Sequence, residues 1–199
     1  MNSSRCKNIL ALCLAALLCQ GAYAGAAAKG KKKMENAAKT ETATLAGGCF
    51  WGMQEILRAL PGVLKTTVGY TGGKTENPKY EDVHAGATGH AESIEIVFNP
   101  AKLSYRAILD MFFKMHDPTT PGRQGNDVGS QYRSAIFYHG PAQKAEAEAA
   151  KARAQASGLW KRPITTEIVP AVKFWTAEDY HQDYLKKYPG GYTCHYIRE

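Results

Sequence analysis

Thr42-Ala43-Thr44-Leu45-Ala46-Gly47-Gly48-Cys49-Phe50-Trp51-Gly52 is the stretch from which the fold is read. Residues 42–46 suggest a short strand. Two glycines then permit a tight turn. A helix follows from Cys49 and is stopped after Leu60 by Pro61-Gly62. Outward from this strand–turn–helix, residues 63–70 are rich in β-formers, and residues 71–88 hold enough turn residues to predict a long loop. Residues 91–98 alternate, with Ile94, Ile96 and Phe98 on one strand face; Glu92 has the same parity and shares it.

The second half repeats the mixture. Residues 104–115 carry Ile108, Leu109, Phe112 and Phe113 at helical spacing. Residues 116–133 predict another turn-rich loop, and 134–138 a strand. An Ala-rich helix is expected over 141–157, with Pro141 in its first turn and Gly158 after it. Residues 164–169 predict a strand. Thr176-Ala177-Glu178-Asp179 fits a capping box opening a helix that carries Tyr180, Tyr184, Leu185 and Tyr188 and ends at Pro189-Gly190-Gly191. The expected fold is α+β: a single domain with a mixed, largely antiparallel sheet, helices packed on it in two layers, and a long coiled C-terminal tail holding Cys194.

Length and composition agree with this. The chain has 199 residues, enough for one domain plus extra segments, and is 44% hydrophobic and 22% charged. Residues 1–24 resemble a signal peptide: Arg5 and Lys7 are basic, residues 9–19 are apolar, and Ala22-Tyr23-Ala24 offers a cleavage site. The apolar run is too short to span a bilayer. Leu18, not a small residue, precedes Cys19, which disfavours a lipid anchor there. Residues 25–40 read as a disordered Lys/Ala-rich spacer, leaving 41–199 as the folded domain in which any catalytic residues must lie. The expected location is secreted, in a periplasm, with no membrane contact after cleavage.

Charge and cysteine usage narrow the function. Of the net charge of +7, Arg5 and Lys7 account for two. Lys29, Lys31, Lys32, Lys33 and Lys39 against Glu35 account for four more, leaving about +1 on residues 40–199. A nucleic-acid binder concentrates basic charge on its folded domain, so that class is disfavoured. Cys6, Cys13 and Cys19 lie in the leader, which leaves Cys49 and Cys194. In an oxidising compartment, two cysteines suggest either a structural disulfide or a reactive pair.

Cys49 follows two glycines at a helix start, where amide N–H groups favour an anion. The expectation is an accessible thiol with a lowered pKa. Phe50 and Trp51 are placed either to wall an apolar pocket beside the sulfur or to fill core. Glu92 is either solvated at a strand edge or buried, in which case desolvation keeps it protonated and fit to act as a general acid. The polar run from Gln124 to Ser134, with Asp127 and Tyr132, is a candidate binding loop. His90, His116, His139, His181 and His195 show no metal-ligand spacing, so no metal is expected.

Six strings resemble the signatures of the methionine sulfoxide reductase A family. They are Gly47-Gly48-Cys49-Phe50-Trp51-Gly52, Gly86-Ala87-Thr88-Gly89-His90-Ala91-Glu92, His116-Asp117-Pro118-Thr119, Gln124-Gly125-Asn126-Asp127, Gln131-Tyr132-Arg133-Ser134 and Tyr180-His181-Gln182. The resemblance runs in order from about residue 42 to 194. It implies a ferredoxin-like core and thiol-dependent reduction of methionine S-sulfoxide, free and in proteins, as repair of oxidised secreted proteins. By the same resemblance, Cys49 attacks the sulfoxide sulfur and Glu92 protonates its oxygen, helped by Tyr80 and Tyr132. Asp127 supports the site, and Phe50 and Trp51 hold the substrate methyl. Cys194 resolves the Cys49 sulfenic acid as a disulfide from a mobile tail. No cofactor is implied, only an external thioredoxin-like dithiol; the partners are oxidised proteins or peptides, and the chain is expected to be a monomer.

There are departures. His84 stands where relatives often have Cys, and one tail cysteine replaces the frequent two, so the reductant must attack the Cys49–Cys194 bond itself. Two other readings stay open. One is a thiol hydrolase pairing Cys49 with His90 or His181. The other is a binding module stapled by a structural disulfide.

Overall fold

In the computed structural model, which describes residues 40–199, the opening strand is β1 (Glu41–Gly47). Helix α1 (Phe50–Arg58) follows across Gly48 and Cys49. It buries Phe50, Met53, Gln54 and Leu57, the spacing that brings side chains onto one helical face. Next come β2 (Val63–Thr71), the short α2 (Tyr80–His84) and β3 (Ala91–Phe98). Helix α3 (Tyr105–Met115) is capped by Ser104, whose hydroxyl accepts the Ala107 N–H at 3.1 Å. A small hairpin, β4 (Arg123–Gln124) with β5 (Asp127–Val128), leads through a 3₁₀ turn (Ser130–Tyr132) to β6 (Ser134–Tyr138). The remaining elements are α4 (Pro141–Ala156), β7 (Glu167–Pro170), β8 (Trp175–Thr176) and α5 (Tyr184–Lys187).

The main sheet has the order β7-β6-β1-β3-β2-β8. Its inner four strands pair antiparallel, in the β6-β1-β3-β2 order of a ferredoxin-like unit, and β7 joins β6 in parallel. The sheet is therefore mixed and largely antiparallel. Side-chain alternation divides it into two faces. Ala43 and Leu45 of β1, Val68 and Tyr70 of β2, and Ile94, Ile96 and Phe98 of β3 are fully buried with Met53 and Leu57 of α1 and Ile108, Leu109 and Phe112 of α3. Ala46, Ala91, Ala135 and Phe137 have the opposite parity and form a second, smaller cluster.

Residues 171–174 cover that second face, running from β7 at one edge to β8 at the other. Ala171 packs on the small cluster, and Thr71 donates its hydroxyl to the Lys173 carbonyl at 2.9 Å. A side chain on Gly69 would collide with Phe174 and the Trp175 backbone, so the strap lies flat only because that position is glycine.

Four local expectations are corrected. Residues 71–88 contain α2, started by the Lys79 N–H donated to Asp82 at 2.9 Å, a bond too local for periodicity to reveal. Residues 116–133 contain the β4–β5 hairpin and a 3₁₀ turn. The strand expected at 164–169 begins only at Glu167, because the Thr165 N–H is taken by the Pro118 carbonyl. The helix expected from Thr176 does not form there. Thr176 pairs with Gly69 as β8, and Asp183 takes a left-handed conformation at φ 53°, which delays α5 to Tyr184. The segments read as signal peptide and spacer, residues 1–24 and 25–40, lie outside the described residues except for Thr40.

Candidate active site

The strand–turn–helix places Cys49. Gly48 has φ 104°, a conformation closed to side-chain-bearing residues, and it aims Cys49 at the N-terminus of α1. The thiol forms part of a cavity of about 160 Å³ lined by Cys49, Phe50, Trp51, Tyr80, His84, Glu92, Asp127, Tyr132 and Tyr192. Seven of the eight candidate residues from the sequence thus meet in one place, although they come from α1, α2, β3, β5 and the 3₁₀ turn. A larger cleft of about 730 Å³ opens between α3 and α4, bordered by Arg106, Arg153 and Trp160. No thiol borders it, so the chemistry belongs to the smaller cavity.

Glu92 is 3% exposed. Of its two readings the buried one holds, because its β3 face is roofed by α1. Its Oε2 accepts the Phe50 backbone N–H at 3.1 Å. Burial pushes the carboxyl up to about 8, aided by the Asp127 charge and opposed by the Phe50 N–H. A protonated carboxyl therefore faces the cavity at neutral pH.

Cys49 departs from expectation. It is 6% exposed rather than accessible, and its pKa moves up, not down. Burial is the main cause and the Glu92 charge the second; the Trp51 N–H counteracts them only in part. The helix terminus expected to favour a thiolate is outweighed by removal of the sulfur from water.

Aromatic rings shape the rest. Phe50 is buried with its ring 5.1 Å from His181 and 5.9 Å from Tyr70. Trp51 stacks on Tyr184 at 3.8 Å and donates its indole N–H to His181 Nδ1 at 3.0 Å. Tyr80 stacks on His84 at 5.4 Å, and Tyr132 is held by the 3₁₀ turn. Burial raises the pKa of both phenols, so both stay protonated donors. Asp127 accepts the Tyr192 hydroxyl at 3.0 Å on Oδ1, while its buried Oδ2 has no protein partner. Tyr184 and Tyr192 are site residues that the sequence did not single out, and His181, named there in a signature string and as a hydrolase base, instead holds the Trp51 indole. The Trp51–His181 contact joins residues 130 positions apart, and no periodicity reports that.

Cys194 does not line the cavity and is half-buried. Burial and then the Asp127 charge push its thiol up to about 12, and the Cys49 backbone N–H partly offsets them. Both cysteines are free. The tail expected to swing is docked: Tyr196 and Arg198 donate backbone N–H groups to Met115 and Lys114. Neither candidate hydrolase base offers a free lone pair: His90 is occupied by the Gly73 N–H and the Thr75 carbonyl, and His181 accepts the Trp51 N–H on Nδ1, which leaves the ring proton on Nε2. Among the described residues no cluster of His, Cys, Asp and Glu could hold a metal ion, and no helix is long and apolar enough to cross a membrane.

Two free thiols grouped around a protonated carboxyl and an aromatic-walled cavity are the equipment of a thiol-dependent oxidoreductase. The sequence model of the family described as Peptide methionine sulfoxide reductase matches residues 41–199, and the chain belongs to that family. A peptide methionine sulfoxide reductase MsrA of Nocardia farcinica is 55% identical over 159 residues, covering 80% of this chain and 91% of the relative. The crystal structure of reduced Mxr1 from Saccharomyces cerevisiae is 39% identical with a TM-score of 0.77, covering 82% of this chain and 95% of that one. Mxr1 in complex with Trx2 is 31% identical with a TM-score of 0.57, covering 82% and 94%.

Proposed function

We propose that this chain reduces methionine S-sulfoxide, free and in proteins, to methionine, with Cys49 as nucleophile and Glu92 as acid. The observation that carries the reading is the buried, protonated Glu92 sharing one small cavity with the Cys49 thiol. A sulfoxide oxygen leaves poorly until it is protonated, and a thiol must reach the sulfur directly. Keeping Glu92 neutral serves both needs: it can donate its proton, and it removes a charge that otherwise raises the Cys49 thiol.

The steps balance as follows. The Cys49 sulfur attacks the sulfoxide sulfur while Glu92 protonates the oxygen. The oxygen passes to Cys49 as a sulfenic acid, methionine leaves reduced by two electrons, and the thiol proton replaces the one Glu92 gave. Tyr80 and Tyr132 hydrogen-bond the oxygen, Phe50 and Trp51 enclose the methyl, and Asp127 steadies the tail through Tyr192. The Cys194 sulfur then displaces the hydroxyl as water and forms a disulfide, which an external thioredoxin-like dithiol reduces. The Mxr1–Trx2 complex supports that class of reductant. The leader-like residues 1–24 support export to a periplasm, where the chain, taken as a monomer, repairs oxidised secreted proteins.

The test is turnover of the separate sulfoxide epimers with dithiothreitol, beside single-turnover methionine release by Cys194→Ser. Activity on the S epimer alone is expected, with one methionine per Cys194→Ser molecule and no multiple turnover with a thioredoxin-like protein. Activity on the R epimer, or full turnover by Cys49→Ser, would refute it.

A further inference from the structure

His195 follows Cys194 and is 7% exposed although it lies four residues before the last residue of the chain. Its Nε2 is 2.8 Å from the Gly47 carbonyl oxygen. A carbonyl only accepts, so the ring proton sits on Nε2 and the lone pair on Nδ1. Nδ1 lies 3.5 Å from the Cys194 sulfur, within reach of its thiol proton. Burial pushes the imidazole down to about 4, which keeps it neutral and in this tautomer at neutral pH. The Thr193 hydroxyl accepts the His195 N–H at 3.1 Å and stiffens the same turn of chain.

The seat for this ring is made of missing side chains. A Cβ on Gly52 would collide with Thr193 Oγ1 and lie 2.5 Å from His195 Nδ1; one on Gly48 would lie 3.4 Å from His195 Cε1. Gly48 needs glycine for its backbone as well. Gly52 does not: it sits inside α1, without the positive φ that demands glycine, where alanine would favour the helix. Contact with the tail is what explains it.

We propose that His195 is the positioning residue of the disulfide-forming step, plugging the tail into the notch between Gly47 and Gly52 so that Cys194 waits beside Cys49. The inference rests on the reductase reading above, because it concerns that reaction's second step. The plug explains why a thiol on a terminal segment is docked before it is needed.

The experiment separates the two steps. Rapid-quench methionine release reports the first, and titration of remaining thiols in the same samples reports the second. His195→Ala and Gly52→Ala should release the first methionine within about twofold of wild type. They should lose the second thiol about ten- to a hundredfold more slowly, the scale of a misplaced reacting group. His195→Gln keeps an N–H for the Gly47 carbonyl and should recover most of the rate. Thermal unfolding should show Gly52→Ala folded. Unchanged thiol loss in His195→Ala would overturn the proposal, as would an equal fall in both steps or no recovery with Gln. Absence of the methionine burst in wild type would overturn the reductase reading instead.

Discussion

The Glu92 carboxyl and the Phe50 backbone are joined by a 3.1 Å hydrogen bond between β3 and the first turn of α1. The bond ties the acid to the residue that follows the nucleophile, so the two reacting groups share one frame. Glu92→Gln retains an oxygen for that N–H but has no acidic proton. We expect kcat to fall by about 10²- to 10⁴-fold with the fold unchanged. Steady-state kinetics on the S epimer decide the matter; wild-type kcat with only KM altered would remove Glu92 from the acid role.

The same carboxyl makes stability depend on pH. Its folded value of about 8 lies above the ordinary 4.5, so between those values the folded chain keeps a proton that the unfolded chain has lost. The stabilisation is complete below about pH 4.5 and is lost as pH rises through 8. Relative to Glu92→Gln, wild type should lose on the order of a few kcal/mol between pH 5 and pH 9. Urea unfolding of both proteins across that range tests this. Parallel curves would mean that Glu92 ionises freely in the folded state.

Trp51 is fixed by two contacts outside the cavity, the Tyr184 stack and the His181 hydrogen bond. Trp51→Ala opens the methyl wall and should lower kcat/KM by about ten- to a hundredfold, the range for one methyl in an apolar pocket. Trp51→Phe keeps an apolar wall and should cost much less. A large loss of thermal stability with normal kinetics in the alanine variant would make Trp51 a packing residue only.

Gln182 is a clamp on β2. Its side chain accepts the Val68 N–H at 2.9 Å and donates to the carbonyls of Val68 at 2.9 Å and Ala177 at 3.0 Å. Gln182→Ala leaves the Val68 N–H and the Ala177 carbonyl unpaired, while the Val68 carbonyl keeps the Ala177 N–H, and should cost about 2–3 kcal/mol. That corresponds to roughly 5–10 °C in Tm. Calorimetry showing an unchanged Tm would mean that water replaces the amide without loss.

Strands with one strongly apolar face were legible from sequence. Residues 91–98 and 134–138 match β3 and β6 to the residue: in 91–98 the Ile94, Ile96 and Phe98 face answers to a core that one-residue slippage would lose, whereas 134–138 is a short apolar run buried on both faces. The capping box at Thr176 misled because its local signal competes with pairing to Gly69 and with the Gln182 clamp on Val68, contacts that each span more than a hundred residues of sequence. Parity put Glu92 on the right face but carried no information on the α1 roof that decides its burial. Cys49 failed for the same reason: a helix terminus is visible locally, whereas desolvation depends on what the rest of the chain brings over it.

The strap of residues 171–174 has a consequence for the chain as it is made. The inner four strands are complete by Tyr138, yet both outer strands, β7 and β8, come from residues 167–176. Until that late segment emerges from the ribosome, the nascent sheet has two open borders able to template pairing with other chains. The residues that finish the reaction centre, His181, Tyr192 and Cys194, come later still. Sealing the sheet against aggregation therefore precedes the gain of activity, and a chain clipped before the strap would carry Cys49 and Glu92 on a sticky, half-bordered sheet.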